Sequence, residues 1–493
     1  MATSRRDRVG RGVCQDAGMR FTVRWRRRAG WPAALVASLA LAGCGSGSGG
    51  GTADAVRSDR TDAPFKNCGS PCTGELSGAR YEVRLPERWN GTLLLYSHGY
   101  RQARPAPPEF APVQTDPRPA PTEDVATRLL AQGYALAGSA YKSNGWAVAD
   151  GVAAGEQLHD WFAGNVGKPD RTYVWGDSLG GLVTQLLAEK HPEWVSGAAP
   201  LCGVLGGTNL NFDLALDLAF AVKTLVYPRL KLTGYSSYED AVANFDGAYK
   251  AVLAATKSTG TGIPGLLLVG ALTDAPTQTV TYDGSTLQSR AGALVEALVT
   301  GLVFSTVVRW EVEQRVGGNP SGNAGADYVS RVSAEENQLI ETVAAGSTAR
   351  NLALLDAAAK VSPDAGAREK FAALGTPTGN LTVPTITLHT KADPLVLVQN
   401  ETVFASKVGA AGNRKADLVQ LFTAAPASYP EPAPYGAGHC NFTTGERLGT
   451  VKLLDDWVRR GTFPTPPAET AAFGSDSGLA LGYRPGPWPA ATS

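Results

Sequence analysis

The sequence predicts an α/β protein: a mostly parallel central sheet flanked by helices, with an inserted helical cap. Three observations carry this. Between residues 80 and 202, apolar runs of strand length alternate with helix-length segments, an order that builds parallel sheets through right-handed crossovers. Runs such as Thr92 to Ser97 (TLLLYS) are almost wholly apolar, as strands covered on both faces are. The alternation then stops for about 175 residues and resumes near residue 383, a gap too long for an ordinary crossover. The 493 residues suffice for one large core with such an insertion.

The chain opens on a targeting segment, residues 1–44. Arg24, Arg26, Arg27 and Arg28 form a positive region, and Trp31 to Leu41 is apolar but too short for a permanent span. It ends in Leu41-Ala42-Gly43-Cys44, which resembles a bacterial lipobox; in such signals the cysteine is lipidated and becomes the mature N-terminus. A start at Met19 gives a leader of ordinary length. Residues 45–66 are Gly/Ser-rich and then polar, as a flexible tether is.

The core is expected at 67–203 and 381–463. Arg80 to Leu85 alternates apolar and polar residues and reads as an edge strand. The strand at Thr92 to Ser97 runs into His98-Gly99-Tyr100, followed by a Pro-rich loop. Glu123 to Gln132 reads as a helix, Tyr134 to Ala140 as a buried strand, Val152 to Asn165 as a helix and Val195 to Leu201 as a strand. Residues 204–380 carry few strand signals and several helical runs, and read as a helical cap inserted into the sheet domain. Leu210 to Leu232 and the apolar Ala291 to Val316 are helical runs, and Ser236-x-x-Glu239 and Ser333-x-x-Glu336 read as capping boxes. The sheet resumes at Val383 to His389, followed by Asp393-Pro394, a helix at Val396 to Val408, a strand at Asp417 to Phe422 and a helix at Arg447 to Arg459. The Pro/Gly/Ala-rich tail, 464–493, reads as surface-lying or disordered.

Between the helix at Val152 to Asn165 and the strand at Val195 to Leu201 lies the most informative stretch, Arg171 to His191. Thr172 to Trp175 is a β-branched and aromatic run, Gly176-Asp177-Ser178-Leu179-Gly180 matches G-x-S-x-G, and Leu182, Val183, Leu186 and Leu187 recur at helical spacing. Strand, tight turn and helix are the context in which that motif lifts a serine hydroxyl out of a sheet. In parallel sheets ligands bind at the carboxyl ends of strands, where His98, Tyr100, Tyr141, Ser178 and Cys202 all fall.

Charge is balanced, with 45 basic and 45 acidic residues, and nothing points to nucleic acid. No dinucleotide fingerprint or P-loop is present, so no cofactor is implied. No C-x₂-C pair exists and there are few histidines, which disfavours zinc. Of six cysteines, Cys14 leaves with the leader and Cys44 takes lipid. The other four, Cys68, Cys72, Cys202 and Cys440, admit three pairings. Cys68 and Cys72 bracket a Gly-Ser-Pro turn, which makes a local bridge plausible.

Together, the serine turn, the His98-Gly99 turn, the Asp393 turn and the late Gly-rich loop around His439 resemble the α/β-hydrolase superfamily over roughly residues 79–202 and 381–460. The resemblance implies a Ser-His-Asp triad in the order nucleophile, acid, base: Ser178, Asp393, His439. Of five histidines, only His439 sits in a Gly-rich loop beyond the last strand; His98, His159, His191 and His389 lie in a turn, a helix, a helix end and a strand. The resemblance also implies an oxyanion hole from the backbone N–H groups of Tyr100 and Leu179, and brings Cys202 beside Cys440 for a disulfide. No HGGG motif is present. The expected activity is that of an exported serine hydrolase cleaving carboxylic esters, small or polymeric. It is lipid-anchored on the outer face of the membrane or extracellular. Tyr100, Tyr141 and Trp146 are candidate cleft aromatics. A peptidase or amidase with the same triad, and a non-catalytic surface binding protein on the same scaffold, are the alternatives.

Overall fold

The computed structural model describes residues 68–412, 417–429, 435–474 and 477–489. The leader, Cys14, the lipobox Cys44 and the tether lie outside the described residues. Eight strands form one sheet: β1 (Cys72–Leu76), β2 (Ala79–Arg84), β3 (Thr92–Ser97), β4 (Ala135–Ser139), β5 (Arg171–Asp177), β6 (Gly197–Leu201), β7 (Thr385–Thr390) and β8 (Leu418–Thr423). Their order is β1-β2-β4-β3-β5-β6-β7-β8. The β1–β2 and β2–β4 pairings are antiparallel, and the rest are parallel. The Arg80 to Leu85 segment is therefore not the edge. Strand β1 covers it through a two-residue turn, Ser77-Gly78, with both residues at positive φ. Strand β1 is largely exposed, so no apolar run marks it in the sequence.

Alternation within a fully buried strand divides its side chains between two cores. In β3, Leu93 and Leu95 join Phe162, Leu182 and Leu187 on one face. Leu94 and Tyr96 join Leu129, Leu454 and Trp457 on the other. Each such leucine contributes about 1.5–3 kcal/mol by leaving water. Helices Val148–Asn165 and Leu179–Lys190 thus cover one face, and Glu123–Ala131 and Thr444–Arg460 the other.

Between β6 and β7 the chain is helical, from Thr208–Leu225 to Ala365–Leu374, with no strand. Its apolar side chains merge with the core of the first face. Residues Leu287–Val316 form one continuous run, broken into a π-helical turn at Phe304–Val308. The run is long and apolar enough to cross a membrane, but 72% of its apolar window is buried, as in a core helix. Ser333 and Glu336 form a capping box. The other expected box, Ser236 with Glu239, does not form: Ser237 N-caps helix Tyr238–Ala255 by accepting from Asp240 N–H, and Ser236 binds the Asp240 carboxylate. The tail is not loose over its described part. Helix Pro466–Phe473 buries Phe473, Trp488 is buried, and Ala480 N–H donates to Phe422 O while Ala424 N–H donates to Gly478 O. These bonds cover the β8 edge, which would otherwise be open to pairing.

Candidate active site

The Gly176–Gly180 turn follows from steric exclusion. Ser178 sits at φ 60°, ψ −121°, a region that L-residues rarely adopt. A Cβ on Gly176 would lie 2.4 Å from Ser97 O, and one on Gly180 would lie 2.0 Å from the same oxygen. Only glycine lets β3 and the elbow helix approach this closely. Ser178 N–H donates to Leu201 O, which ties the turn to β6.

Three strand ends converge on this serine. His439 Nε2 lies 2.8 Å from Ser178 Oγ, and His439 Nδ1 lies 2.7 Å from Asp393 Oδ2. With Nδ1–H donated to the carboxylate, Nε2 is left to accept the serine hydroxyl. Asp393 Oδ1 accepts the backbone N–H groups of Leu395 and Val396, each at 2.9 Å. Burial alone would raise this carboxyl, but the His439 charge and hydrogen bonds from His389 and His439 hold it well below the usual carboxylate range. The loop carrying His439 is docked on β7: Gly438 N–H donates to Ala392 O, and Thr390 Oγ1 donates to Gly438 O.

Sequence reasoning set His389 aside as a strand residue and passed over Glu401. Both are fully buried, His389 against Asp393 and Glu401 against His389. His389 Nδ1 faces Glu401 Oε1 at 3.2 Å; Nε2 faces Val396 O at 2.8 Å and lies 3.5 Å from Asp393 Oδ2. Both ring nitrogens face oxygen atoms, an environment that favours the imidazolium form of His389. Glu401 Oε2 accepts from Thr387 Oγ1 and Gln420 Nε2, which suits a carboxylate. Burial opposes the charge, but hydrogen bonds to Asp393 and Glu401 win and push His389 up to about 10. The available signal was the four-residue spacing of His389 and Asp393. Glu401 enters only through the helix Asn400–Ala410.

Cys202 and Cys440 are joined, with Cα atoms 5.5 Å apart. Cys68 and Cys72 remain thiols in contact, so no bridge closes the Gly-Ser-Pro turn. Burial, then the neighbouring Cys72 sulfur, pushes the Cys68 thiol up to about 12. Asp177, beside the serine, is held by Arg447 Nη1 at 2.7 and 2.9 Å. The N–H groups of Tyr100 and Leu179 have no hydrogen-bond acceptor among the described residues. Tyr141 packs beneath the turn: its hydroxyl donates to His98 O and its ring stacks on His98. Burial pushes His98 down to about 3.

Ser178 stands between two hollows. One, with about 780 Å³ of empty space, is apolar and lies under the inserted helices, lined by Trp146, Phe212, Leu218, Phe304 and Val396. The other is less apolar and more open, and its lining includes Arg101, Arg118, Asp177 and His439. Tyr100 lines both, its ring 5.5 Å from that of Phe304 at the π-helical turn.

Strand order, the antiparallel β2 and the serine elbow after β5 define the α/β-hydrolase fold. No protein-family model and no curated protein matches the chain. Among solved structures it is similar to feruloyl esterase B from Aspergillus oryzae, at 15% identity over 80% of each chain with a TM-score of 0.37. It is similar to proline iminopeptidase from Mycobacterium smegmatis at 11% identity, over 82% of this chain and 100% of that one, with a TM-score of 0.32. For a rice cell wall degrading esterase from Xanthomonas oryzae the values are 15%, 71%, 84% and 0.30.

Proposed function

We propose that this protein is a serine hydrolase that cleaves carboxylic esters through an acyl-enzyme. The observation that carries the reading is the unbroken chain Ser178 Oγ, His439, Asp393, with contacts of 2.8 and 2.7 Å. Ser178 Oγ attacks the ester carbonyl carbon, and its proton passes to His439 Nε2. The carbonyl oxygen becomes an oxyanion facing the free N–H groups of Tyr100 and Leu179. As the tetrahedral intermediate collapses, the C–O bond breaks and His439 returns the proton to the departing alcohol. Water then repeats the sequence on the acyl-enzyme and releases the acid. Asp393 fixes the imidazole tautomer and stabilises its charged form. The apolar hollow suits an apolar acyl group.

The leader and lipobox support export and anchoring through Cys44 at the outer membrane face, with a small or polymeric ester as substrate. Metabolic fatty-acid labelling tests the anchor: Cys44→Ser should abolish it, and continued labelling would refute it.

The activity test uses the fragment from Gly45 onward with 4-nitrophenyl butyrate. Ser178→Ala should lose at least about 10⁴-fold in kcat and should no longer take up a fluorophosphonate, as read by intact mass. Full activity in that variant would end the reading.

A further inference from the structure

We infer that the alcohol half of the substrate carries an anionic group, a carboxylate, sulfate or phosphate, received by Arg101 and Arg118. The inference rests on the hydrolase reading and adds the chemistry of the leaving group.

The first step is which hollow takes which half. A general acid must stand within hydrogen-bond reach of the oxygen it protonates. His439 lines the more open hollow and not the apolar one. The departing alcohol therefore occupies the more open side, and the acyl chain the apolar side.

That side carries two guanidinium groups, Arg101 and Arg118, against one acidic side chain, Asp177. Arg101 is 7% exposed. Its Nη1 donates to the Asp116 backbone carbonyl at 2.9 Å, and its Nη2 has no partner. Arg118 is exposed and reaches only the Gln114 amide oxygen, at 3.4 Å. Neither guanidinium forms an ion pair among the described residues. The Asp116 carboxylate binds Arg80, and Asp177, the acidic side chain of this wall, is held by Arg447. A buried guanidinium with an unused donor is costly unless something completes it. Planar two-point recognition of an oxyanion is what that group does well. Burial and the neighbouring Arg118 both act against the Arg101 charge, and an anion between them relieves that repulsion.

The test compares 4-nitrophenyl butyrate with 5-butyryloxy-2-nitrobenzoate, which adds a carboxylate to the same leaving group. The wild type should favour the anionic ester by about tenfold in kcat/KM, the scale of one charge-assisted hydrogen bond. Raised ionic strength should narrow the ratio. Arg118→Gln should lower the ratio several-fold, and Arg101→Gln should remove it. Arg101 is buried, so its variant is read only with an unchanged unfolding midpoint; the exposed Arg118 carries the test otherwise. A second arm bypasses catalysis: 5-hydroxy-2-nitrobenzoate should bind Ser178→Ala more tightly than 4-nitrophenol does, and Arg118→Gln should weaken that preference. Hydrolysis of both esters at equal efficiency, or equal binding of the two phenols, would overturn the inference and leave the hydrolase reading standing. Hydrolysis of neither ester would overturn the hydrolase reading, and the binding arm would still decide on the arginines.

Discussion

Asp393 touches two histidines, and the two sides of this carboxylate are built differently. His439 reaches it from a Gly-flanked loop, and its side chain is 22% exposed. His389 reaches it from within β7, and its side chain is 0% exposed. His439 has one carboxylate and one hydroxyl as partners and can exchange a proton with whatever Ser178 holds. His389 is enclosed by Glu401, Val396 O and Asp393 and has nothing to exchange with. On the proposed mechanism the same side chain is thus a transfer group on one side, and on the other it is held as a fixed cation. Access to the reacting serine makes the difference, since both rings face Asp393.

Removing Asp393, which both histidines share, should have the greatest consequence. Asp393→Asn keeps the shape but presents an amide N–H or a weaker acceptor to His439 Nδ1, so the productive tautomer is lost. A fall in kcat of about 10⁴-fold is expected. Stopped-flow or steady-state ester hydrolysis measures it, and wild-type rates would place the acid elsewhere.

A smaller loss tests the buried side alone. His389→Gln should lower kcat by about 10- to 100-fold, the scale of outer-shell positioning partners, with KM little changed. A purely structural role would lower stability without moving kcat per folded molecule. The pH dependence separates the two. The folded pKa of His389 is raised from 6.5 to about 10, so its stabilisation is complete below pH 6.5 and is lost as pH rises toward 10. Thermal unfolding of the wild type should weaken over that window, and in His389→Gln the slope should flatten. An unchanged slope in the variant would mean that His389 is not the cation described here.

The two sides were also unequally legible in the sequence. Ser178, Asp393 and His439 lie in motifs with strong local constraints: a Gly turn, an Asp-Pro turn and a Gly-rich loop. The helical insertion was legible because its strand signals stop. His389 was not legible, because a histidine in an apolar strand looks like any satisfied core residue. Its role depends on Glu401, twelve residues on, which only packing brings beneath it. Arg101 was hidden for a related reason: it stands in a Pro-rich loop, where nothing in the sequence distinguishes a buried guanidinium from a solvated one. Strand β1 was hidden because exposed strands carry no apolar run.

The smallest expected effect concerns how the exposed side is held. His389 needs no tie because β7 fixes its backbone. His439 precedes Cys440, whose bond to Cys202 spans 238 residues of sequence. Both cysteines sit at positive φ, 44° and 52°, so the bridge joins two backbone positions that are themselves tightly specified. Three hydrogen bonds hold the same loop independently: Gly438 N–H to Ala392 O, Thr390 Oγ1 to Gly438 O, and Arg447 Nη2 to Cys440 O. The paired variant Cys202→Ala/Cys440→Ala removes the bridge without leaving a thiol against His439. It should retain kcat within about tenfold, since those bonds preserve the register, while stability falls by about 2–5 kcal/mol, as when a native disulfide is removed. Chemical denaturation and kcat on one preparation read both quantities, and peptide mapping without reductant checks the wild-type bridge. A double variant as inactive as Asp393→Asn would show that the covalent tie, and not the hydrogen bonds, places His439 against Ser178. A double variant with full stability would show that the loop bonds suffice for both.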